Sequence, residues 1–224
     1  MVEIKNISLD FLGHAGFLIR LEDKKKIAID PYNISQNIPP VDIILITHSH
    51  YDHCSIKDIE KITQKGTIII IPPDAQSKIT KIKDVEMQII EVGDELSFDT
   101  IKIEAVPAYN IKKEFHPKSE GWLGYLIKIG DVIIYHTGDT DRIPEMEKLT
   151  GYGKHNNEFI ILLPVSGTYT MNAEEAADVA KLLGPTLTIP MHYGAGVAGS
   201  REDAERFLQE CSKLNIRAQI LEKI

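Results

Sequence analysis

The sequence predicts an α/β protein made of two β-rich halves, each accompanied by helices, and three observations support this. Apolar runs such as IILIT (43–47) and TIIII (67–71) are continuous, as in strands covered on both faces. Segments with apolar residues at helical spacing lie between or after such runs. No stretch rich in Pro, Gly or Ser divides the chain, and neither a low-complexity tract nor a repeat of about 20–50 residues stands out. A hydrophobic content of 43% over 224 residues suffices for a buried core, so residues 1–224 are expected to form a single domain.

In chain order, ISLDFL (7–12), GFLIRL (16–21) and IAID (27–30) read as strands, the last two joined by the polar turn EDKKK. DIILIT (42–47) and TIIIIP (67–72) follow. Between them, SIKDIEKITQKG (55–66) carries Ile56, Ile59 and Ile62 at helical spacing and meets a stop at Gly66; this helix is expected to follow the preceding histidine cluster directly. The second half repeats the alternation. IKIEAVPA (101–108), WLGYLIKI (122–129), DVIIYH (131–136) and FIILLPV (159–165) are strands, and MNAEEAADVAKLLG (171–184) is an amphipathic helix capped by Asn172. TLTIPM (186–191) is a strand, SREDAERFLQECSKL (200–214) a last helix, and AQIL (218–221) a short closing strand.

Composition narrows the function classes. The balance of 25 Lys+Arg against 33 Asp+Glu, a formal charge of −8, works against attraction to phosphate backbones or anionic lipid, so nucleic acid is not the expected partner. Cys54 and Cys211 are far apart with no CxxC spacing, so neither a disulfide framework nor a cysteine zinc ribbon is indicated, and a reducing compartment is expected. The stretch MVEIKNISLDFLGHAGF mixes charged and apolar residues and lacks a signal-peptide core, and no apolar run approaches the roughly 20 residues that span a bilayer. A soluble cytoplasmic protein is expected.

The chemistry concentrates in THSHYDH (47–53), which holds His48, His50, Asp52 and His53 in a chain with only 8 histidines. His48 and His50, two apart where an extended run gives out, leave the backbone on the same side and can share one ion. A helix starting at Asp52 would swing Asp52 and His53 around a second position. Imidazole nitrogen and carboxylate oxygen bind zinc at about 2.0–2.2 Å, so this segment is expected to begin two metal sites. The remaining ligands stand beyond other apolar runs: Asp139 after IIYHTG, His192 after TIPM, and His116 after IKIEAVPA across the loop YNIKKEF. Open α/β sheets place ligands beyond the carboxyl ends of their strands, which would bring these residues to one rim.

Blander readings compete with this one. A single His or Asp at a strand end is more often a turn residue or a satisfied polar group than a ligand. A polar turn with Asp52 serving a helix N-terminus would explain the cluster without metal, but crowding three imidazoles there then brings no benefit. His14 in FLGHAGF and His136 in IIYHTGD precede glycine turns and read as supporting or structural residues. His155 in GYGKHNNE reads as solvated surface, and Cys54 as a small buried residue outside the site.

With THSHYDH, GDT (138–140) and PMHYG (190–194) in view, the chain resembles the metallo-β-lactamase superfamily. Through FLGHAGFLI, IDPYN, VPAYN, YHTGDT and PMHYG it is most similar to the small metal-dependent hydrolases related to ascorbate-6-phosphate lactonase, over nearly its whole length. The resemblance implies an αβ/βα four-layer sandwich, two β-sheets flanked by helices, with a dinuclear centre at one edge between the sheets. Carried over by position, it implies that His48, His50 and a third histidine form the first metal site. Asp52, His53 and His192 form the second, Asp139 bridges, and Asp30 orients a ligand histidine from behind. The family's third histidine follows closely on its strand, whereas here that place reads AYN and His116 comes six residues after Asn110. His116 folding back is the expected ligand, with Asn110 the alternative.

Two divalent ions, zinc first, with Mn²⁺, Fe²⁺ or Ni²⁺ admitted by the same donors, would supply hydroxide at neutral pH to an ester, lactone or phosphodiester-type substrate. Asp52 could hold the hydrogen of that hydroxide as well as bind metal. Lys112, Lys113, Lys118 and Arg142 could receive an anionic small molecule, although solvated loop charge explains them equally well. Di-iron oxygen reductases of the superfamily resemble HxExDH, and His50 speaks against them. A metallo-nuclease lacks the basic stripe that grips RNA, and a non-catalytic metal-binding or regulatory module would be expected to have lost a bridging or second-site ligand.

Overall fold

Continuous apolar runs become the inner strands of two mixed sheets. The computed structural model describes residues 1–154 and 156–224, so His155 and its reading as solvated surface fall outside the described residues. By its contacts the chain divides into Met1–Glu91 with Leu221–Ile224, and Val92–Ile220.

The first unit holds a seven-stranded sheet in sequence order: β1 (Val2–Ile4), β2 (Ile7–Gly13), β3 (Gly16–Leu21), β4 (Lys26–Ile29), β5 (Ile43–Leu45), β6 (Thr67–Ile71) and β7 (Val85–Ile89). Strands β1 to β4 pair antiparallel, and β4 to β7 pair parallel. Parallel neighbours need crossovers. Here α1 (Ile56–Ile62) links β5 to β6, and α2 (Gln76–Ile79) lies between β6 and β7. Ile59, Ile62 and Ile79 join Ile44, Ile69 and Ile71 in one buried cluster, each such side chain contributing about 1.5–3 kcal/mol. Phe17 pairs with Ile29, and Ile29 with Leu45, so the turn at His14, the end of β4 and the end of β5 share one sheet edge. Gly16 belongs to that close approach, since a Cβ there would stand 3.0 Å from the Asp30 carbonyl oxygen.

Two local expectations are corrected. The histidine cluster does not open a helix: His50 O accepts the amides of His53 (3.1 Å) and Cys54 (2.8 Å) in one turn, and α1 starts only after Ser55. The helix also stops before Gly66. Thr63 is extended (ψ 151°) and its hydroxyl donates to Glu60 O at 3.2 Å, while Gly66 (φ +87°) serves the turn into β6.

The second unit holds a six-stranded sheet of β8 (Glu95–Phe98), β9 (Ile101–Pro107), β10 (Leu123–Ile129), β11 (Val132–His136), β12 (Glu158–Pro164) and β13 (Leu187–Met191), ordered β13-β12-β11-β10-β9-β8. It too begins antiparallel (β8 to β11) and ends parallel (β11 to β13). Helix α3 (Ala173–Leu183) crosses from β12 to β13 and packs on α4 (Arg201–Lys213). Asn172 and Glu175 form a reciprocal capping box at the start of α3, and Ala176, Ala177, Val179, Ala180 and Leu183 are buried. Pro107 pairs with Leu123, and Tyr125 with His136, so β9 and β11 end on the same edge, and β12 and β13, parallel to β11, end there too.

AQIL is not a strand. Only Ala218 forms an isolated bridge, to Thr188, and the following residues, Leu221–Ile224, belong to the first unit, where Lys223 bridges to Phe11. Among the described residues no helix is long and apolar enough to cross a membrane.

Candidate metal centre

At the edge of the first sheet one carboxylate organises the histidines. Asp30, fully buried with φ +41°, accepts the Thr47 amide (2.8 Å) on Oδ1 and the Thr47 hydroxyl (2.6 Å) on Oδ2. A hydroxyl that gives its hydrogen to a carboxylate is left as an acceptor, so Thr47 Oγ1, 3.0 Å from His48 Nδ1, receives the Nδ1 hydrogen. Asp30 Oδ2 also lies 2.8 Å from Nδ1 of His53 and takes its hydrogen. Both imidazoles therefore keep Nε2 as a lone-pair donor, the tautomer that a metal requires. His48 Nε2 is 3.0 Å from Nδ1 of the exposed His50, and His53 Nε2 is 3.7 Å from Asp52 Oδ2. Asp52 is itself held by His14, whose Nε2 is 2.9 Å from Oδ2.

At the edge of the second sheet Asp139 occupies the equivalent place. Its Oδ2 lies 3.0 Å from His192 Nε2 and 3.3 Å from His116 Nε2. His116 does fold back after its loop, and its Nδ1 stands 3.1 Å from the Tyr169 carbonyl, which only accepts, so Nε2 again keeps the lone pair. The GDT turn that carries Asp139 depends on Gly138: φ is +64°, and a Cβ would come 2.4 Å from Leu123 O.

These donor sets fit a cation on chemical grounds. A lone pair on His116 Nε2 faces a buried carboxylate oxygen at 3.3 Å, acceptor against acceptor. Such an arrangement is stabilised by a shared positive charge, and imidazole with carboxylate is the set that zinc and its neighbours take.

Sequence reasoning singled out His48, His50, Asp52 and His53 in the first unit and His116, Asp139 and His192 in the second, and each group clusters within its own unit. His14, read as a supporting or structural residue, bonds Asp52, whereas Thr47 was given no place: a threonine just past a strand carries no distinguishing spacing. Asn110 bonds to Phe115 O in the His116 loop and to Tyr169 O, both at 2.7 Å. His136, fully buried, accepts the Gly138 amide on Nδ1 at 3.2 Å, a structural use.

The loop cations divide. Lys113 is bound to Asp141 (2.6 Å), and Lys118 to Glu145 (2.7 Å) and the Tyr109 hydroxyl (3.3 Å). Asp141 lies below the usual carboxylate range: burial pushes it up, but Lys113 and the amides of Lys112 and Ile111 outweigh that. Glu145 is lowered chiefly by its hydrogen bond from Lys118. Burial, partly opposed by Lys78, pushes the Cys54 thiol up to about 12, which makes it a poor ligand. The second unit also contains a cavity of about 550 Å³ walled by Ala105, Tyr109, Trp122, Tyr135, Met146 and Tyr152; Lys118 lines it, but no candidate ligand does.

Two mixed sheets of seven and six strands with flanking helices make this a metallo-β-lactamase fold. The sequence model described as "Beta-lactamase superfamily domain" matches residues 8–192. A UPF0173 metal-dependent hydrolase of Pyrococcus horikoshii is 36% identical over 198 residues, 84% of each chain. The crystal structure of a Parabacteroides distasonis protein assigned to the metal-dependent hydrolases superposes with TM-score 0.81 at 30% identity, covering 96% of this chain and 94% of that one. A metallo hydrolase from Ignicoccus hospitalis shares the fold at TM-score 0.75 and 23% identity, over 97% and 95% of the two chains. The chain belongs to the β-lactamase superfamily, within its family of UPF0173 metal-dependent hydrolases.

Proposed function

We propose that the protein hydrolyses a small molecule with an ester, lactone or phosphodiester-type bond, using two divalent ions. His48, His50 and His116 would hold one ion, Asp52, His53 and His192 the other, with Asp139 bridging. The observation that carries this reading is that His48, His53 and His116 each commit Nδ1 to the protein and keep Nε2 as a donor. The superfamily match, which runs through both units, supports their acting as one domain.

Bound ions would lower the pKa of water from about 16 towards about 7 and polarise the oxygen of the bond under attack. The chain does the rest. Asp30 and the Tyr169 carbonyl fix imidazole orientation. Asp52, held through Oδ2 by His14, takes up the proton released as water attacks and returns it to the leaving group. Lys112 and Arg142 are the cations left to meet an anionic substrate, since Lys113 and Lys118 are paired with Asp141 and Glu145. Zinc is the first choice of metal for His and Asp donors, and the free thiols of Cys54 and Cys211 suit the cytoplasm.

The test is elemental analysis of freshly purified protein, then assays of metal-loaded protein against phosphodiester, lactone and thioester panels. Turnover in one class is expected, together with its loss in His48→Ala and Asp139→Ala while the circular dichroism spectrum is kept. Wild-type turnover in either variant overturns the mechanism. No turnover in any class, with tight retention of a small molecule, would mark a non-catalytic binding module.

A further inference from the structure

We infer that Asn110 is a positioning residue that sets the tautomer and seat of His116 through its amide hydrogens and does not itself bind metal. The inference rests on the proposed metal-binding role of His116. Its starting point is the five-residue excursion Ile111–Phe115, which delays the histidine relative to its strand.

Asn110 closes that excursion at its neck. Its backbone amide donates to His116 O at 2.8 Å. Its side-chain Nδ2 donates to Phe115 O and to Tyr169 O, both at 2.7 Å. Both hydrogens of the amide are thereby used on carbonyls. The 3.3 Å approach of Nδ2 to His116 Nδ1 then has no hydrogen to share, and Nδ1 must turn its own hydrogen to Tyr169 O at 3.1 Å. Asn110 thus orients the carbonyl that faces Nδ1 and, with both of its own hydrogens spent, leaves that acceptor as the partner of Nδ1, which places the imidazole hydrogen on Nδ1 and the lone pair on Nε2. A flipped amide would set Oδ1 against two carbonyl oxygens, so the orientation is fixed by the acceptors around it. On the far side of the neck, Asp141 Oδ2 accepts the amides of Ile111 (2.9 Å) and Lys112 (3.1 Å), so the loop is held at its departure as well as at its return. The buried Oδ1 of Asn110 makes no hydrogen bond among the described residues, which keeps the rival role, Oδ1 as a metal ligand, open to test.

Asn110→Leu keeps the volume while removing both amide hydrogens and the oxygen. In metal-free protein, nitrogen-15 NMR of the imidazoles should show the His116 hydrogen on Nδ1 in the wild type and that preference weakened in Asn110→Leu, a change that loss of a metal-binding oxygen alone would not cause. In zinc-loaded protein, competition with a chromophoric chelator should show one zinc released about tenfold more readily in Asn110→Leu, as for other residues that orient a ligand. A wild-type His116 with its hydrogen on Nε2, which requires no variant to fold, overturns the inference. So does an Asn110→Leu protein that keeps the wild-type tautomer of His116, or one that holds zinc as tightly as the wild type. Wild-type protein that binds no zinc while His116 shows the Nδ1 hydrogen would instead overturn the metal reading alone.

Discussion

Asp30 reaches two histidines, His53 directly and His48 through the Thr47 hydroxyl. Removing it should therefore disturb two of the proposed metal ligands together. Asp30→Ala is expected to lose metal affinity by about 10–100-fold, measured by chelator competition; an unchanged dissociation constant would show that the imidazoles hold their orientation without it. At this scale much was legible. His48, His50, Asp139 and His192 follow apolar runs that end at sheet edges, and strand ends are where side chains converge. What was hidden works through groups that any sequence contains: the Tyr169 carbonyl and the Thr47 hydroxyl. A carbonyl's partner is set by tertiary contact, which no local spacing records.

Among the elements, α1 and α3 are fixed by groups at their first turns. Asp58 in α1 accepts from Lys61 (2.7 Å), the Ser55 hydroxyl (2.7 Å) and the Asn33 amide (2.9 Å). Burial raises its pKa, but these bonds outweigh that and leave it below the ordinary value. Its contribution is then fully present above the unfolded pKa of about 3.9 and is lost as pH falls through the lower folded value. Asp58→Asn should cost about 1–3 kcal/mol at neutral pH and flatten the decline of stability below about pH 4; urea unfolding across that range checks both. In α3, Asn172→Ala should cost about 0.5–2 kcal/mol by removing the bond to the Glu175 amide (2.8 Å), read from the same curves. Buried strands and capped helices were visible in the residue pattern. The strands β1, β7 and β8 were not, because their residues are largely half-exposed or exposed and mix charged with apolar side chains. AQIL failed in the opposite direction: its apolar content reflects Leu221 turning into the first unit's core and not a ladder.

Across the molecule, both cysteines are buried and burial pushes each thiol up to about 12. Thiolate is the reactive form, so native protein should not react with a disulfide reagent at pH 8, whereas both thiols should titrate in denaturant. Rapid labelling of native protein would contradict the burial described. The last four residues, Leu221–Ile224, return to the first unit, where Ile224 donates to Phe11 O at 3.1 Å and Lys223 Nζ to Asn33 O at 2.6 Å. The second unit is therefore an insertion within the first. During synthesis the edge beside Phe11 stays uncovered until Leu221–Ile224 have emerged, about two hundred residues later. Deleting those few residues would injure a sheet whose strands were made long before them.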